Sequence, residues 1–242
     1  MSDATSPDVR FWFDPMCPFA WMTSKWLRMV QDQRDYTVEW RFISLRLLNK
    51  HVDYDAHFPP EYEAGHSAGL RMLRVCAHVL DAHGPEAIAR LYPALSSRIF
   101  DVAPDDATDI PGRVGELVEG ALIEADLSPH FADFLDDESR DAQIQASTDE
   151  ALALTGKDVG TPILHVAPPE GAAFFGPVIS RLPSEEAATE LWDHVVGLAK
   201  FEGFAELKRS LRELPQLRAL GVGQDEAGVQ EDWHGGSRRQ KK

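Results

Sequence analysis

The sequence predicts an α/β fold built on a strand–helix–strand unit, and three stretches near its start carry that prediction. Val9, Phe11 and Phe13 alternate with Arg10 and Trp12 as a short strand does, and Asp14-Pro15 ends the run with turn chemistry. Residues 18–33 follow with Met22, Trp26, Met29 and Val30 at helical spacing and Lys25, Arg28 and Gln31 between them. Val38, Trp40 and Phe42 then alternate with Thr37, Glu39 and Arg41 as a second strand, and Ile43 and Leu45 extend its apolar character. Strands joined this way pair in parallel through a right-handed crossover, and their ends are where such sheets place their chemistry.

Cys17 stands at the junction of the first strand and the helix. Pro18 suits the first helical position, where its fixed φ and missing N–H cost nothing, so Cys17 falls at the N-cap. Unpaired backbone N–H groups and the positive end of the helix dipole favour thiolate there, and the expected pKa is below the ~8.5 of a free thiol. A buried packing role is the common fate of a free cysteine, but it needs neither the proline nor the helix start.

From His51 to Pro60 the chain reads as a connection. Helical faces follow at Met72, Val75, Cys76 and Val79, with a stop near His83-Gly84-Pro85; at Ile88, Leu91, Tyr92 and Leu95; and at Val114, Leu117, Val118, Leu122 and Ile123, closed by Ser128-Pro129. Phe131 to Leu135 and Ile144 to Leu154 add one or two more. The sheet pattern returns at 159–166, where Pro162 precedes a strand. Ala167 to Gly171 is a turn, and Ala172 to Phe175 is a partner strand ended by Gly176-Pro177. Ser184 is a plausible N-cap for a helix carrying Ala188, Leu191, Trp192, Val195, Val196 and Ala199, and Phe204, Leu207 and Leu211 suggest one more short helix. The reading divides into a core in two parts, residues 8–60 and 157–215, an all-helical insertion over 61–156, and a disordered tail over 216–242.

Lys+Arg 24 against Asp+Glu 40 gives a net charge of −16, which repels phosphate backbones and anionic membranes, so nucleic acid and membrane partners are not expected. No basic and apolar leader opens the chain and no run approaches a membrane span, which points to the cytoplasm. Two cysteines in that compartment point to free or catalytic thiols rather than a bridge. The nine histidines form no i, i+4 pair with accompanying cysteines, so no metal site is expected. Gly221-Val222-Gly223 lacks a preceding strand, so no flavin or nicotinamide motif is read there.

Phe-Trp-Phe-Asp-Pro-Met-Cys-Pro-Phe-Ala-Trp, Val-Gly-Thr-Pro-Ile-Leu-His-Val and Phe-Phe-Gly-Pro-Val, in this order around a helical insertion, resemble the thioredoxin fold of the DsbA family over about residues 8–215. They look most similar to its actinobacterial mycothiol-dependent branch, which includes nitroreductase-like members. The resemblance implies that Pro162 is cis, that Thr161 and Pro162 face Cys17, and that Asp14, Pro18, Phe19, Ala20 and Trp21 border the thiol or substrate. The family motif is usually Cys-Pro-x-Cys, and Ala20 stands at its fourth position. A dithiol enzyme resolves its mixed disulfide with that second thiol, so reduction here must come from outside, and mycothiol is the low-molecular-weight thiol that the resemblance implies.

The leading expectation is a cytoplasmic monothiol oxidoreductase, monomer or homodimer, acting on a disulfide or an electrophilic small molecule. The alternatives are a thiol-cofactor enzyme resembling kappa-type glutathione transferases and 2-hydroxychromene-2-carboxylate isomerases, or a binding module that has abandoned turnover. Cys76 reads as a core residue, with a resolving role if the insertion folds over the site. Asp14 either moves protons for Cys17 or only supplies turn chemistry. Trp12, Phe174 and Phe175 would line an apolar pocket or fill the core, and His165 would sit on a sheet face.

Overall fold

A computed structural model of the protein describes residues 6–58, 61–156, 159–209 and 213–230. Strands β1 (Val9–Phe13), β2 (Val38–Phe42), β3 (Ile163–Val166) and β4 (Ala173–Phe175) form one sheet in the order β2-β1-β3-β4. β1 pairs parallel with β2 and antiparallel with β3, and β3 pairs antiparallel with β4. Helix α1 (Pro18–Gln33) is the crossover between β1 and β2, as the alternation and helical spacing predict. This is a mixed α/β architecture with a helical insertion between β2 and β3, as the sequence predicts.

The pleat sorts β1 between two faces. Val9, Phe11 and Phe13 enter the main core, where α1 and the last helix, α8 (Glu185–Ala199), pack. Trp12 turns to the other face and packs with Ile43, Ile163 and Ala151 of α7 (Asp141–Thr155). α8 starts as its sequence suggests, with Ser184 Oγ accepting from the Ala187 N–H at 3.3 Å. It is locked to α1 by the Trp26 and Trp192 rings, 5.6 Å apart and edge-on, and by the Trp26 Nε1–H donated to Ala188 O at 2.9 Å.

Between β2 and α7 lie α2 (Leu45–Leu48), α3 (Tyr54–His57), α4 (Glu61–His83), α5 (Pro85–Phe100) and α6 (Ile110–Glu124). Gly84, at φ 78, separates α4 from α5, and Pro85 takes the first position of α5. Pro93 lies inside α5, where its missing N–H leaves the Ala89 carbonyl without its usual partner; Arg28 of α1 donates to that carbonyl at 3.2 Å. Pro93 thereby ties the insertion to the crossover helix.

The structure departs from the sequence reading in three places. Leu45 does not extend β2; it opens α2, because Ser44 caps that helix by accepting from the Leu47 N–H at 3.3 Å. Residues 200–209 form no helix, and Phe201 and Leu207 stay exposed rather than forming a buried face; Leu211 lies outside the described residues. Residues 213–230, expected in part as a disordered tail, pack on the body. Leu217 and Val222 are buried, and Glu213 accepts two hydrogen bonds from Arg181 at 2.8 and 2.6 Å. Residues 231–242 lie outside the described residues.

Candidate active site

Cys17 is the N-cap of α1, with extended backbone angles, and its Sγ accepts from the Ala20 N–H at 3.4 Å. β3 pairs antiparallel beside β1 in a register that sets Ile163 opposite Trp12, so the residues just before β3 reach the loop after β1. Thr161 and Pro162 thus arrive at the cysteine. Their peptide bond is cis, and the Cys17 thiol lies 3.5 Å from the Thr161 carbonyl as donor.

The expectation of a depressed thiol pKa is overturned. Cys17 is only 6 % exposed, and burial pushes its thiol up to about 11, against the pull of the Ala20 N–H; the negative Asp14 adds to the rise. The helix terminus does favour the thiolate, but the loss of water outweighs it, and sequence alone could not show that the helical layer covers the sulfur. Asp14 is fully buried and raised from 3.8 to about 6, again chiefly by burial. Its Oδ1 accepts from the Met16 N–H at 2.9 Å and its Oδ2 from the Leu45 N–H at 2.8 Å, which oppose that rise. The Asp-Pro pair does supply the turn, and the carboxylate is also sealed inside the protein.

The other named residues fall into separate places. Pro18 and Phe19 are partly exposed at the mouth of α1, and Ala20 is buried under the sulfur it donates to. Trp21 turns away into the helical layer, edge-on to Tyr92 at 5.8 Å, with its Nε1–H donated to Asp101 at 3.2 Å. One of its edges lines a cavity of ≈ 450 Å³ with Pro93, Ala94 and Ser97. Trp12 fills the opposite face of the sheet. Phe174 packs on the core, whereas Phe175 is exposed and lies over Gly160. His165 is buried away from Cys17, bonded through Nε2 to Gly171 O at 3.0 Å.

Four residues that sequence reasoning passed over are Gly65, Gly69, Tyr54 and His66, of which Gly69 meets Asp14. Gly69 of α4 lies so close that a Cβ there would stand 2.5 Å from Asp14 Oδ1. Gly65, one turn earlier, receives Met16. Tyr54 and His66 join through Oη and Nδ1 at 2.9 Å, and burial holds His66 down to about 4, so it is neutral at pH 7. The signal for the glycines was their i, i+4 spacing on a helix; none existed for the contact with Asp14, which is separated by 55 residues of chain. Cys76 is fully buried in α4 and pushed up to about 12 by burial and then by Asp14. Among the described residues no group of His, Cys, Asp or Glu is arranged to hold a metal, and no helix is long and apolar enough to cross a membrane.

A sheet of this order, with a cysteine capping the crossover helix opposite a Thr-Pro pair, defines the class: a DsbA-like protein of the thioredoxin fold. The chain belongs to the Rv2466c-like family, whose model, described as the mycothiol-dependent nitroreductase Rv2466c, matches residues 16–209. It is 32% identical over 206 residues to the uncharacterized protein Rv2286c of Mycobacterium tuberculosis (strain ATCC 25618 / H37Rv), a match spanning 83% of this chain and 81% of that one. In fold it resembles the crystal structure of the probable DsbA oxidoreductase SCO1869 from Streptomyces coelicolor, with a TM-score of 0.50 and 16% identity over 93% of this chain and 99% of that one.

Proposed function

We propose that the chain is a cytoplasmic monothiol oxidoreductase in which Cys17 attacks a disulfide or an electrophilic small molecule and mycothiol regenerates it. One observation carries this reading: Cys17 caps α1 opposite Thr161-Pro162, while Ala20 occupies the place of a second motif cysteine and Cys76 is fully buried in α4. The family match supports a thiol reductant from solution. The site suits a thiol, since an N–H donor at 3.4 Å and the Thr161 carbonyl at 3.5 Å already engage the sulfur that would be bridged.

With a disulfide substrate, Cys17 Sγ forms a bond to one substrate sulfur as the substrate S–S bond breaks, and the departing sulfur leaves as a thiol. Ala20 N–H and the α1 terminus stabilise the negative charge on Sγ during that exchange. Pro18, Phe19 and Thr161-Pro162 flank the incoming sulfur. Mycothiol supplies the second thiol, which takes the first half of the substrate from Cys17 and restores the free cysteine.

The test is to prepare the Cys17–mycothiol mixed disulfide, add free mycothiol, and follow mycothiol disulfide and free Cys17 together. Stoichiometric release of both, at a rate proportional to the thiol concentration, is expected. Product formation from an electrophilic substrate with no change in thiol oxidation state would overturn the proposal in favour of transferase or isomerase chemistry.

A further inference from the structure

Phe174-Phe175-Gly176-Pro177-Val178 is one of the stretches that mark this chain, yet the chemistry assigned to Cys17 gives Gly176-Pro177 no part. The β3–β4 ladder ends where Ile163 faces Phe175, so residues 160–162 and 176–178 both lie past it. Gly176 turns the chain there at φ 98, a backbone conformation that favours glycine. Its N–H donates to Pro162 O at 2.9 Å, so the two loops are joined beyond the ladder.

Thr23 of α1 meets the second loop. A threonine inside a helix commonly turns its hydroxyl back to the carbonyl one turn earlier, as Thr148 and Thr155 of α7 do at 2.9 and 3.0 Å. Thr23 reaches outward instead. Its Oγ1–H donates to Pro177 O at 2.7 Å, across 154 residues of chain, and the residue is fully buried. Parting a buried hydroxyl from its carbonyl leaves two polar atoms without water, so this link resists opening.

The contacts close into a ring. Cys17 donates its thiol proton to Thr161 O at 3.5 Å, Pro162 follows and accepts from Gly176, Pro177 follows and accepts from Thr23, and α1 carries Thr23 back to Cys17. α1 is itself anchored to α8 by the Trp26 Nε1–H on Ala188 O at 2.9 Å, which leaves the two loops as the part that can give. Phe19 lies one turn before Thr23 on the same face of the helix and so borders the slot between α1 and the loops.

We propose that Thr23 is a positioning residue for Cys17: through Pro177, Gly176 and Pro162 it holds the Thr161 carbonyl against the sulfur and sets the width of the slot through which a substrate or a thiol reaches it. This rests on the reading of Cys17 as the nucleophile and adds the residue that spaces the opposite wall. Cys76, fully buried in α4 and outside the ring, provides an internal reference for general loosening of the fold.

The experiment follows modification of Cys17 and Cys76 separately, by peptide mass, with N-methylmaleimide and the bulkier N-phenylmaleimide. Neither reagent needs mycothiol, so the outcome is independent of the turnover assay. In Thr23→Val, which keeps the shape and removes the donor, Cys17 should react severalfold faster than in wild type, with the larger gain for N-phenylmaleimide, while Cys76 stays as slow as before. Thr23→Ser, which keeps the donor, should return the wild-type rates and the wild-type preference between the reagents. A check on the wild type alone is hydrogen exchange at the Gly176 amide, which should quicken once N-phenylmaleimide occupies Cys17, with the α7 amides unchanged. Equal rates and equal size preference in wild type and Thr23→Val, joint acceleration of Cys17 and Cys76, failure of Thr23→Ser to restore the wild-type pattern, or an indifferent Gly176 amide would overturn the proposal.

Discussion

The α7 face of β1 and the end of the same strand treat carboxylates in opposite ways. On the α7 side, Glu39 and Glu150 share Arg10 and Arg41. Arg10 Nε meets Glu39 at 2.8 Å, Arg41 meets Glu39 at 2.9 Å and also contacts Glu150, and Arg10 reaches Glu150 at 3.7 Å. Burial raises Glu39, yet the hydrogen bonds from Arg41 and Arg10 outweigh it and hold its carboxyl below the ordinary range. At the end of the same strand Asp14 is held by the Met16 and Leu45 backbone N–H groups, and burial outweighs them. A half-exposed carboxylate with two cations contributes to structure at modest gain, whereas a sealed carboxylate held by backbone N–H groups is retained at a cost to stability.

The sharpest way to break that contrast is at the sulfur itself. Cys17→Ser should abolish adduct formation and turnover while leaving the melting temperature within a few degrees, measured by intact mass and thermal unfolding. The next effect is on stability against pH. A carboxyl raised from 3.8 to about 6 favours folding fully below the ordinary value and loses that contribution as pH rises through the folded one. Between pH 4 and 6 the wild type should therefore lose about 2 kcal/mol relative to Asp14→Asn, read from denaturant unfolding at each pH. Parallel stability curves would show that Asp14 does not titrate in that window.

Cys76→Ser places a hydroxyl in the α4 core and should cost about 1–3 kcal/mol while sparing the Cys17 adduct. Glu150→Gln on the other face should cost less, about 0–1 kcal/mol, because its ion pairs are half-exposed and Glu39 keeps both arginines engaged. A larger loss at Glu150 than at Cys76 would reverse the ranking of the two faces.

Much of this contrast was legible in the sequence on the strand side and little of it at the helical contact. Alternation in β1 and β2, the spacing in α1 and the Cys17-Pro18 pair specify their elements through neighbours a few residues apart. The meeting of Thr161-Pro162 with Cys17 came from resemblance, because no local pattern encodes a contact across 144 residues. The fate of Asp14 was not legible at all: its two donors lie in different segments and its cover is a glycine on α4. The thiol pKa was misjudged for the same reason, since a helix terminus is visible in sequence and the burial that opposes it is not. Leu217 and Val222 show a similar limit in residues 213–230, where two buried apolar residues and the Glu213–Arg181 pair seat a Gly- and charge-rich stretch.

The central claim, a single reactive cysteine resolved from outside, is tested most directly by intact mass after the reduced protein meets mycothiol disulfide. One mycothiol adduct is predicted in the wild type and in Cys76→Ser, and none in Cys17→Ser. A loss of two hydrogens that requires both cysteines, or no modification of the wild type, would contradict it.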